Sequence, residues 1–382
     1  MSRSAERCAE APLVLMNDFR RQWEELSREV IAAVCDVGES GWYILGREVA
    51  AFETALARDW GLKHAVGVGS GLDAIEISLR IAGCRPGDLV LTTPLSAFAT
   101  TLAVVRAGAI PVFVDTDSRG LLDLGECERI LEMRPDIRFL LPVHLYGHAL
   151  DLQRLRRLSD RFGCIVIEDC AQAILASFEG KPVGSAGPLA AVSFYPTKNL
   201  GAMGDAGAIL TNREELVPTA RALRDYGQSN KYQHDHIGLN SRLDELHSAI
   251  LRRAFLPRLA AWTARRRSIA NRYLAGIHHA HIRPIDAPPG SDSVWHLFPV
   301  LVGPSRKASF LRHLAERRIG FAEHYPILIP EQNALRDIPK VVAHPCPRAR
   351  EIAESEVSLP IHPYLTDAEL EQVVDACNTW EA

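Results

Sequence analysis

The sequence predicts an α/β protein, in which a large domain with a mostly parallel sheet precedes a smaller α+β domain. Short runs rich in β-branched residues alternate with helical segments. These runs are apolar throughout, as strands buried on both faces are. From about residue 230 the alternation gives way to a long helical stretch and a proline-containing segment. The 382 residues are enough for more than one domain.

The elements follow one another in a regular order. Residues 18–37 carry apolar residues every three or four positions and predict an amphipathic helix, and a glycine-flanked loop then leads to a second helix. Strands are predicted in KHAVGVGSG, DLVLTTP, IPVFVDTD, IRFLLPVHLYG, CIVIEDCAQ, LAAVSFYP and GAILTN. Helices are predicted between them in LDAIEISLRIAG, AFATTLAVVRAG and LQRLRRLSDRFG.

The C-terminal part begins with the helical stretch LDELHSAILRRAFLPRLAAWTARRRSIANRYLAGI and ends with the helix LTDAELEQVVDAC. We assign residues 1–255 to an N-terminal segment and the large α/β domain. Residues 256–382 form the smaller C-terminal domain in this division.

Composition excludes several classes of protein. The net charge is −4 and the basic residues are scattered, so neither a nucleic-acid surface nor a membrane surface is predicted. No apolar run has the length of a signal peptide or a membrane span, which favours the cytoplasm. The eight cysteines form no C-x-x-C pair and no zinc spacing, which predicts reduced thiols and no metal site.

Asp169 ends the predicted strand CIVIE. A carboxylate at the end of a buried strand is costly unless it meets a cation or hydrogen-bond donors, so Asp169 is a candidate for a ligand site. A helix N-cap before CAQAI is the alternative for this residue alone.

Lys198 follows the strand LAAVSFY and precedes a turn that contains Gly201, Gly204 and Gly207. Desolvation lowers the pKa of a lysine and makes the amine nucleophilic, as Schiff-base formation requires. A lysine that extends from a loop to the surface is the alternative.

Upstream, the residues from Gly69 to Leu72 join a strand to a helix, and glycines there allow backbone N–H groups to approach a phosphate. Alone this motif is weak, because many such turns contain glycine. With Asp169 and Lys198 it completes the set that pyridoxal 5'-phosphate (PLP) needs: an amine, an anion for the pyridine nitrogen and a phosphate anchor.

The same residues lie in motifs that resemble the DegT–DnrJ–StrS sugar aminotransferases over nearly the whole chain. The resemblance implies the fold-type I PLP-dependent aminotransferase architecture, similar to aspartate aminotransferase, and a homodimer. The matching motifs are SGWYILGREVAAFE, VGVGSGLDAIEISLR, GDLVLTTPLSAFATTLAVVRAGAIPVFVDTD, PVHLYGHALD, VIEDCAQAILASFEGKPVGSAG, AVSFYPTKNLGAMGDAGAILTN, GLNSRLDELHSAIL and HYP at 324–326.

The resemblance implies a role for each matching residue. Lys198 would carry the cofactor and move the proton during catalysis, and Asp169 would pair with the pyridine nitrogen. Gln172 would contact the 3-oxygen of PLP, and Phe98 would stack on the ring face. Ser193 and the backbone of Gly71 and Leu72 would bind the phosphate. Asn240 from the neighbouring subunit would reach the same phosphate.

This chain departs from the family pattern at Leu72, where members often have a threonine that contacts the phosphate, and at His247, where they commonly have glutamine. Candidate substrate contacts are Tyr43, Arg242, His324 and Tyr325, each of which also has a purely structural explanation.

The resemblance implies transamination of a nucleotide-linked keto-sugar with L-glutamate as donor. The segment KYQHDHIGLNSRLDE is most similar to members that act on dTDP-linked 3-keto-6-deoxyhexoses. Four alternatives remain: a 4-keto sugar, a cyclitol, synthesis of an amino-aromatic acid, and a non-catalytic regulator of the same fold.

Overall fold

The structure, a computed structural model, describes residues 14–343 and 345–382. Most of the N-terminal stretch, in which no signal peptide is predicted, therefore lies outside the described residues. The α-helices are α1 (Phe19–Ser40), α2 (Arg47–Trp60), α3 (Gly71–Ile81), α4 (Phe98–Arg106), α5 (Leu124–Met133), α6 (Leu152–Phe162), α7 (Val217–Arg224), α8 (Glu245–Ile250), α9 (Leu259–Gly276), α10 (Pro304–Glu316), α11 (Pro347–Ser355) and α12 (Asp367–Asn378). The strands are β1 (His64–Val68), β2 (Leu89–Thr92), β3 (Ile110–Phe113), β4 (Ile137–Leu140), β5 (Ile165–Asp169), β6 (Ser177–Phe178), β7 (Lys181–Pro182), β8 (Leu189–Ser193), β9 (Gly207–Thr211), β10 (Gln228–Asn230), β11 (Gln233–His234), β12 (Arg283–Pro284), β13 (Ser291–Asp292), β14 (Phe298–Leu301), β15 (Val341–Val342) and β16 (Glu356–Leu359).

The main sheet has the strand order β1-β9-β8-β5-β4-β2-β3-β15. Strand β9 runs antiparallel to both of its neighbours, and the other pairs in the sheet are parallel. The prediction of a mostly parallel sheet is thus confirmed, and each predicted strand is present. The edge strand β15 comes from the C-terminal part of the chain, which returns to the large sheet there. The division at residues 255 and 256 stays a prediction.

Helices cover both faces of this sheet, which explains why its strands are apolar throughout. Successive residues of a strand face opposite sides: Val166 packs into a cluster with α1, α2, α5 and α6, whereas Ile167 packs into a cluster with α3, α4 and α7. Helix α5 was not predicted, although its N-cap, Asp123, accepts hydrogen bonds from two N–H groups of its first turn and is a recognisable start signal.

The long helical stretch is not a single α-helix. Helix α8 ends at Ile250, a π-helical turn spans Leu251–Phe255, and a 3₁₀ turn spans Leu256–Arg258 before α9 begins. Pro257 lies at this interruption. Because proline has no N–H to donate and its ring collides with a carbonyl one turn earlier, the regular α-helix cannot continue through it.

The C-terminal part contains its own antiparallel sheet, in the order β12-β14-β16. Its apolar side chains pack with those of α9, α10 and α12, with Tyr273 and Phe298 in ring contact at the centre. No helix within the described ranges is long and apolar enough to cross a membrane.

Candidate active site

The carboxyl ends of β5 and β8 lie side by side, and this adjacency brings the predicted site together. The two strands are parallel neighbours, with Asp169 at the end of β5 in register with Ala191 of β8. Ser193 ends β8, and the chain then turns so that the N–H of Lys198 donates to the carbonyl of Tyr195 at 2.8 Å. Residues from two distant motifs therefore meet at one edge of the sheet.

Asp169 is buried and held by donors from two elements. Its Oδ2 accepts from Thr100 Oγ1 at 2.8 Å, and its Oδ1 accepts from the N–H of Ala171 at 3.0 Å. Burial raises the pKa of Asp169, while these two donors and the Lys198 ammonium act in the opposite direction. The helix N-cap alternative is wrong, because the chain makes turns after β5 instead of a helix.

Lys198 is half-buried and does not extend freely into solvent. Burial lowers its pKa to about 8, and the charge of Asp169 only partly offsets this. A lysine with that pKa is partly neutral near physiological pH, so its amine is available as a nucleophile and as a base.

The loop that carries Lys198 is anchored on both sides. A Cβ on Gly201 would lie 2.1 Å from the carbonyl oxygen of Pro196, so the loop winds tightly and needs glycine at this point. The side chain of Asn199 donates to the carbonyl of Val294 at 2.8 Å, and its Oδ1 lies 3.1 Å from Nδ1 of His296. These contacts connect the lysine loop to the C-terminal part of the chain.

The turn before α3 forms the candidate phosphate site. A Cβ on Gly71 would lie 2.6 Å from Cβ of Ser193, so only glycine allows the first turn of α3 to approach the end of β8 so closely. The Ser70 hydroxyl caps the helix by accepting from the N–H of Asp73. Because the first N–H groups of a helix have no acceptor within it, those of Gly71 and Leu72 are left to face an anion, beside the Ser193 hydroxyl.

Gln172 lies in a chain of hydrogen bonds that leads to the HYP motif. Its Oε1 accepts from the N–H of Tyr146 at 2.7 Å, and its Nε2 donates to the hydroxyl of Tyr325 at 3.0 Å. The hydroxyl of Tyr146 donates to the carbonyl of His324 at 2.8 Å. The structure thereby brings three predicted site residues together: Gln172, His324 and Tyr325.

Phe98 begins α4, is half-buried, and packs against a small cluster that contains Phe113 and Ile329. Two residues later on the same helix, Thr100 contacts Asp169, and Ser96 Oγ lies 2.9 Å from Thr100 Oγ1. Sequence reasoning missed Thr100, although a hydroxyl residue two positions after Phe98 in a predicted site helix could have suggested it.

Of the remaining candidates, Tyr43 and Asn240 are exposed and Arg242 is partly buried. Among the described residues, no hydrogen bond joins Tyr43, Asn240 or Arg242 to Asp169 or Lys198. Tyr43 is about half exposed, at 52%. Asn240 is exposed, and its Oδ1 accepts from Arg242 at 2.7 Å.

Arg242 also forms an ion pair with Asp225 at 3.0 Å and lies over the ring of Tyr226. Much of its charge is therefore already compensated within the protein. Ser241, between Asn240 and Arg242, accepts from the N–H of Gly69 at 3.0 Å and so lies beside the phosphate turn of its own chain.

The residues present fit PLP. Gly71 lacks the Cβ that would close the cradle against Ser193, and a buried carboxylate and an amine of lowered pKa lie at adjacent strand ends. Such a set would hold the phosphate, the pyridine nitrogen and the aldehyde carbon of PLP.

Comparison with known proteins identifies the family of this chain. The DegT/DnrJ/EryC1/StrS aminotransferase family model matches residues 24–378. A dTDP-3-amino-3,4,6-trideoxy-alpha-D-glucose transaminase of Streptomyces venezuelae is 41% identical over 377 residues, with 97% of each chain covered.

Two solved structures extend the comparison. S. venezuelae DesV in complex with a ketimine intermediate has a TM-score of 0.92 at 40% identity, covering 97% of this chain and 99% of that chain. The Bacillus subtilis protein ntda with bound cofactor PMP has a TM-score of 0.84 at 28% identity, covering 92% of this chain and 81% of that chain.

Together the family match, the similarity of the whole chain and the strand-end site show a fold-type I enzyme that uses PLP. The chain belongs to the DegT/DnrJ/EryC1/StrS aminotransferase family and is a PLP-dependent sugar aminotransferase.

Proposed function

We propose that this enzyme transfers the amino group of L-glutamate to a dTDP-linked 3-keto-6-deoxyhexose in amino-sugar biosynthesis. The observation that carries the transamination is Lys198, half-buried at the strand end next to that of Asp169, with its pKa lowered to about 8. The nature of the sugar is supported by the Streptomyces venezuelae transaminase, which resembles this chain along 97% of its length.

In this proposal each side chain of the site has a separate role. Lys198 Nζ would take the proton from Cα of the amino donor and, in the second half-reaction, would deliver a proton to the sugar carbon that gains the amino group. Asp169 would bind the pyridine nitrogen. PLP, when bound, supplies the electron sink that weakens the Cα–H bond. Gln172 would contact the 3-oxygen, and Phe98 would pack on the ring.

The phosphate contacts matter most while Lys198 is free to act as a base, because the lysine then no longer holds the cofactor covalently. Ser193 and the N–H groups of Gly71 and Leu72 take that role. The hydroxyl of Ser193 already accepts from the N–H of Tyr195 at 3.2 Å, so its own hydrogen is available for a phosphate oxygen.

We further propose a homodimer in which the partner subunit's Asn240 completes the phosphate site. Large apolar side chains are exposed near the site, among them Phe19, Trp23 and Met203, which line one groove. An exposed apolar groove of this kind is typical of an interface. Tyr43, Arg242, His324 and Tyr325 are the proposed contacts for the nucleotide sugar.

The direct test is a screen of the purified holoenzyme with L-glutamate against dTDP-linked 3-keto and 4-keto 6-deoxyhexoses and a keto-cyclitol, with product identified by mass. We expect an amino-sugar from the 3-keto substrate, with 2-oxoglutarate formed in equal amount. A product from only the 4-keto sugar or the cyclitol would refute the proposed substrate and leave transamination intact.

A further inference from the structure

The buried carboxyl group of Glu356 is hydrogen-bonded to His324. Glu356 begins β16 and is 1% exposed. Its Oε2 accepts from the N–H of His324 at 2.6 Å, and its Oε1 makes a short hydrogen bond with Ser358 Oγ. Ser358 Oγ in turn lies 2.9 Å from Nδ1 of His324. The three residues form a closed hydrogen-bonded ring.

Counting hydrogens in this ring leaves two arrangements. If Glu356 is ionised, its Oε1 accepts from the Ser358 hydroxyl, whose oxygen must then accept from Nδ1–H of His324. Nε2 of His324 is in that case an acceptor. If Glu356 is protonated on Oε1, it donates to Ser358, which donates to Nδ1, and Nε2 carries the hydrogen.

The imidazole is neutral in both arrangements, because its pKa lies well below the working pH range. Burial, with a smaller contribution from the nearby ammonium of Lys198, lowers the pKa of His324 to about 4. The ring is therefore neutral over the working pH range, and only the position of its hydrogen changes.

Glu356 can change its protonation state near neutral pH. Burial raises its pKa to about 8, although the hydrogen bonds from Ser358 and from the N–H of His324 lower it. The charged groups that face it are Lys307 of α10, which lowers the pKa, and Glu323, which raises it; these two form an ion pair with each other.

The hydroxyls of Tyr146 and Tyr325 also face Glu356, and burial raises the pKa of both, so they remain neutral. Glu356 is therefore the group of this cluster that gains or loses a proton between pH 7 and 9.

His324 connects this cluster to the active site. Tyr325, the next residue, bonds to Gln172, and Lys198 is near enough to influence the pKa of His324. Nδ1 is used by Ser358, and within the described part of the chain Nε2 has no protein partner. Nε2 is thus available to a ligand.

We propose that Glu356 and Ser358 are positioning residues that decide which nitrogen of His324 carries the hydrogen, and so whether Nε2 donates to or accepts from the nucleotide sugar. This inference rests on the proposed function, because it takes the nucleotide sugar as the ligand at Nε2. Carbonyl and diphosphate oxygens only accept hydrogen bonds, so the form with neutral Glu356 is the one that binds substrate.

The kinetic test compares KM for the nucleotide sugar at pH 7 and pH 9.5. In the unmodified holoenzyme we expect KM to rise about fivefold, the effect of losing one neutral hydrogen bond, with a smaller change in kcat. Glu356→Gln keeps a donor toward Ser358 at every pH, so its KM stays low. Glu354→Gln, an exposed carboxylate nearby, is the matched control and retains the pH dependence.

Ser358→Ala breaks the connection between Glu356 and the imidazole, and it provides a second variant if Glu356→Gln folds poorly. We expect its KM to be insensitive to pH between 7 and 9.5. A KM that rises in Glu356→Gln or Ser358→Ala as it does in the unmodified enzyme would overturn the proposal.

The hydrogen itself can be followed without any sugar, by ¹⁵N NMR of the histidine side chains in the holoenzyme. The His324 signals are those lost in His324→Gln. We expect hydrogen on Nε2 at pH 7 and on Nδ1 at pH 9.5, and on Nε2 at both in Glu356→Gln. The same tautomer at both pH values in the unmodified enzyme would refute the inference. Failure of every sugar to react, with this switch present, would instead refute the proposed function.

Discussion

Thr100 of α4 donates a hydrogen bond from its hydroxyl to Oδ2 of Asp169 at 2.8 Å, and both side chains are buried. A donor on α4 thus helps to keep the carboxylate at the end of β5 ionised in an apolar environment, although the two elements are far apart in the chain. The contact compensates in part for the burial that raises the pKa of Asp169. It also places the first turn of α4, which begins with Phe98, against the end of β5.

Replacing Thr100 by valine should weaken PLP binding. Valine has the shape of threonine but no hydroxyl to donate to Asp169. The pKa of Asp169 therefore rises further, and its attraction for the pyridine nitrogen falls. Hydrogen bonds to charged groups contribute about 1.5–3 kcal/mol, which corresponds to an affinity for PLP lowered by about tenfold or more. Titration of the apoenzyme with PLP measures this.

Thr101→Val is the matched control. Thr101 is also buried on α4, and within the described ranges its Oγ1 has no hydrogen-bond partner. We expect no loss of PLP affinity in this variant. Equal losses in the two variants would show that packing, and not the hydrogen bond, is responsible.

Lys198→Ala should remove the visible absorption of lysine-bound PLP and reduce turnover by about 10²–10⁴-fold, the range for loss of a positioned acid–base group. Absorption spectra and glutamate-dependent turnover measure the two effects. Lys181→Ala changes an exposed lysine of β7 and should preserve both. Normal turnover by Lys198→Ala would contradict the assignment of this lysine.

Gly71→Ala should damage the phosphate site. The new Cβ would lie 2.6 Å from Cβ of Ser193, so the first turn of α3 has to move away from β8. Overpacking of this kind costs about 1–3 kcal/mol in stability, and PLP affinity should fall with it. Denaturant unfolding and PLP titration measure the two effects.

Gly38→Ala provides the comparison, since a Cβ at this position of α1 meets nothing within 4 Å. The change should stabilise the fold by about 0.4–1 kcal/mol and leave PLP binding unchanged. If Gly71→Ala also stabilised the fold and left PLP binding unchanged, α3 would not approach β8 as closely as described.

Glu356 should make the folded protein less stable as pH rises. Its pKa is about 8 in the fold, against an ordinary value of 4.5, so between these values the folded state binds a proton that the unfolded state does not. Stability from this group is complete below pH 4.5 and falls as pH rises toward 8, by up to about 1.4 kcal/mol per pH unit.

Glu356→Gln should therefore gain stability relative to the unmodified protein from pH 5 to pH 8, as thermal unfolding at several pH values can measure. Glu354→Gln should show a constant difference over the same range. A constant difference for Glu356→Gln as well would mean that Glu356 titrates normally.

Local patterns in the sequence were sufficient for the order of the strands along the chain, because a strand buried on both faces has to be apolar at every position. They were also sufficient to mark Asp169 and Lys198, since charged residues directly after such strands are rare without a reason. The family motifs then gave these two residues their expected roles in PLP binding.

Other features depend on contacts between distant segments. The reversed direction of β9, the adjacency of β5 and β8, and the return of the chain through β15 all follow from strand pairing, which local patterns do not encode. Pro257 marks the interruption in the sequence, but the residues on both sides of it were predicted as one continuous helical stretch.

By itself, the sequence determined which residues can carry the chemistry, because charge, size and apolar periodicity are properties of single residues and short segments. Only the tertiary structure decided their partners. Thr100 donates a hydrogen bond to Asp169, which lies 69 residues away in the chain, and Glu356 accepts one from His324, which lies 32 residues away. The packing of helices and sheets brings these residues into contact. The pKa values of Lys198, His324 and Glu356 depend on that burial and those partners, which exist only once the chain has folded.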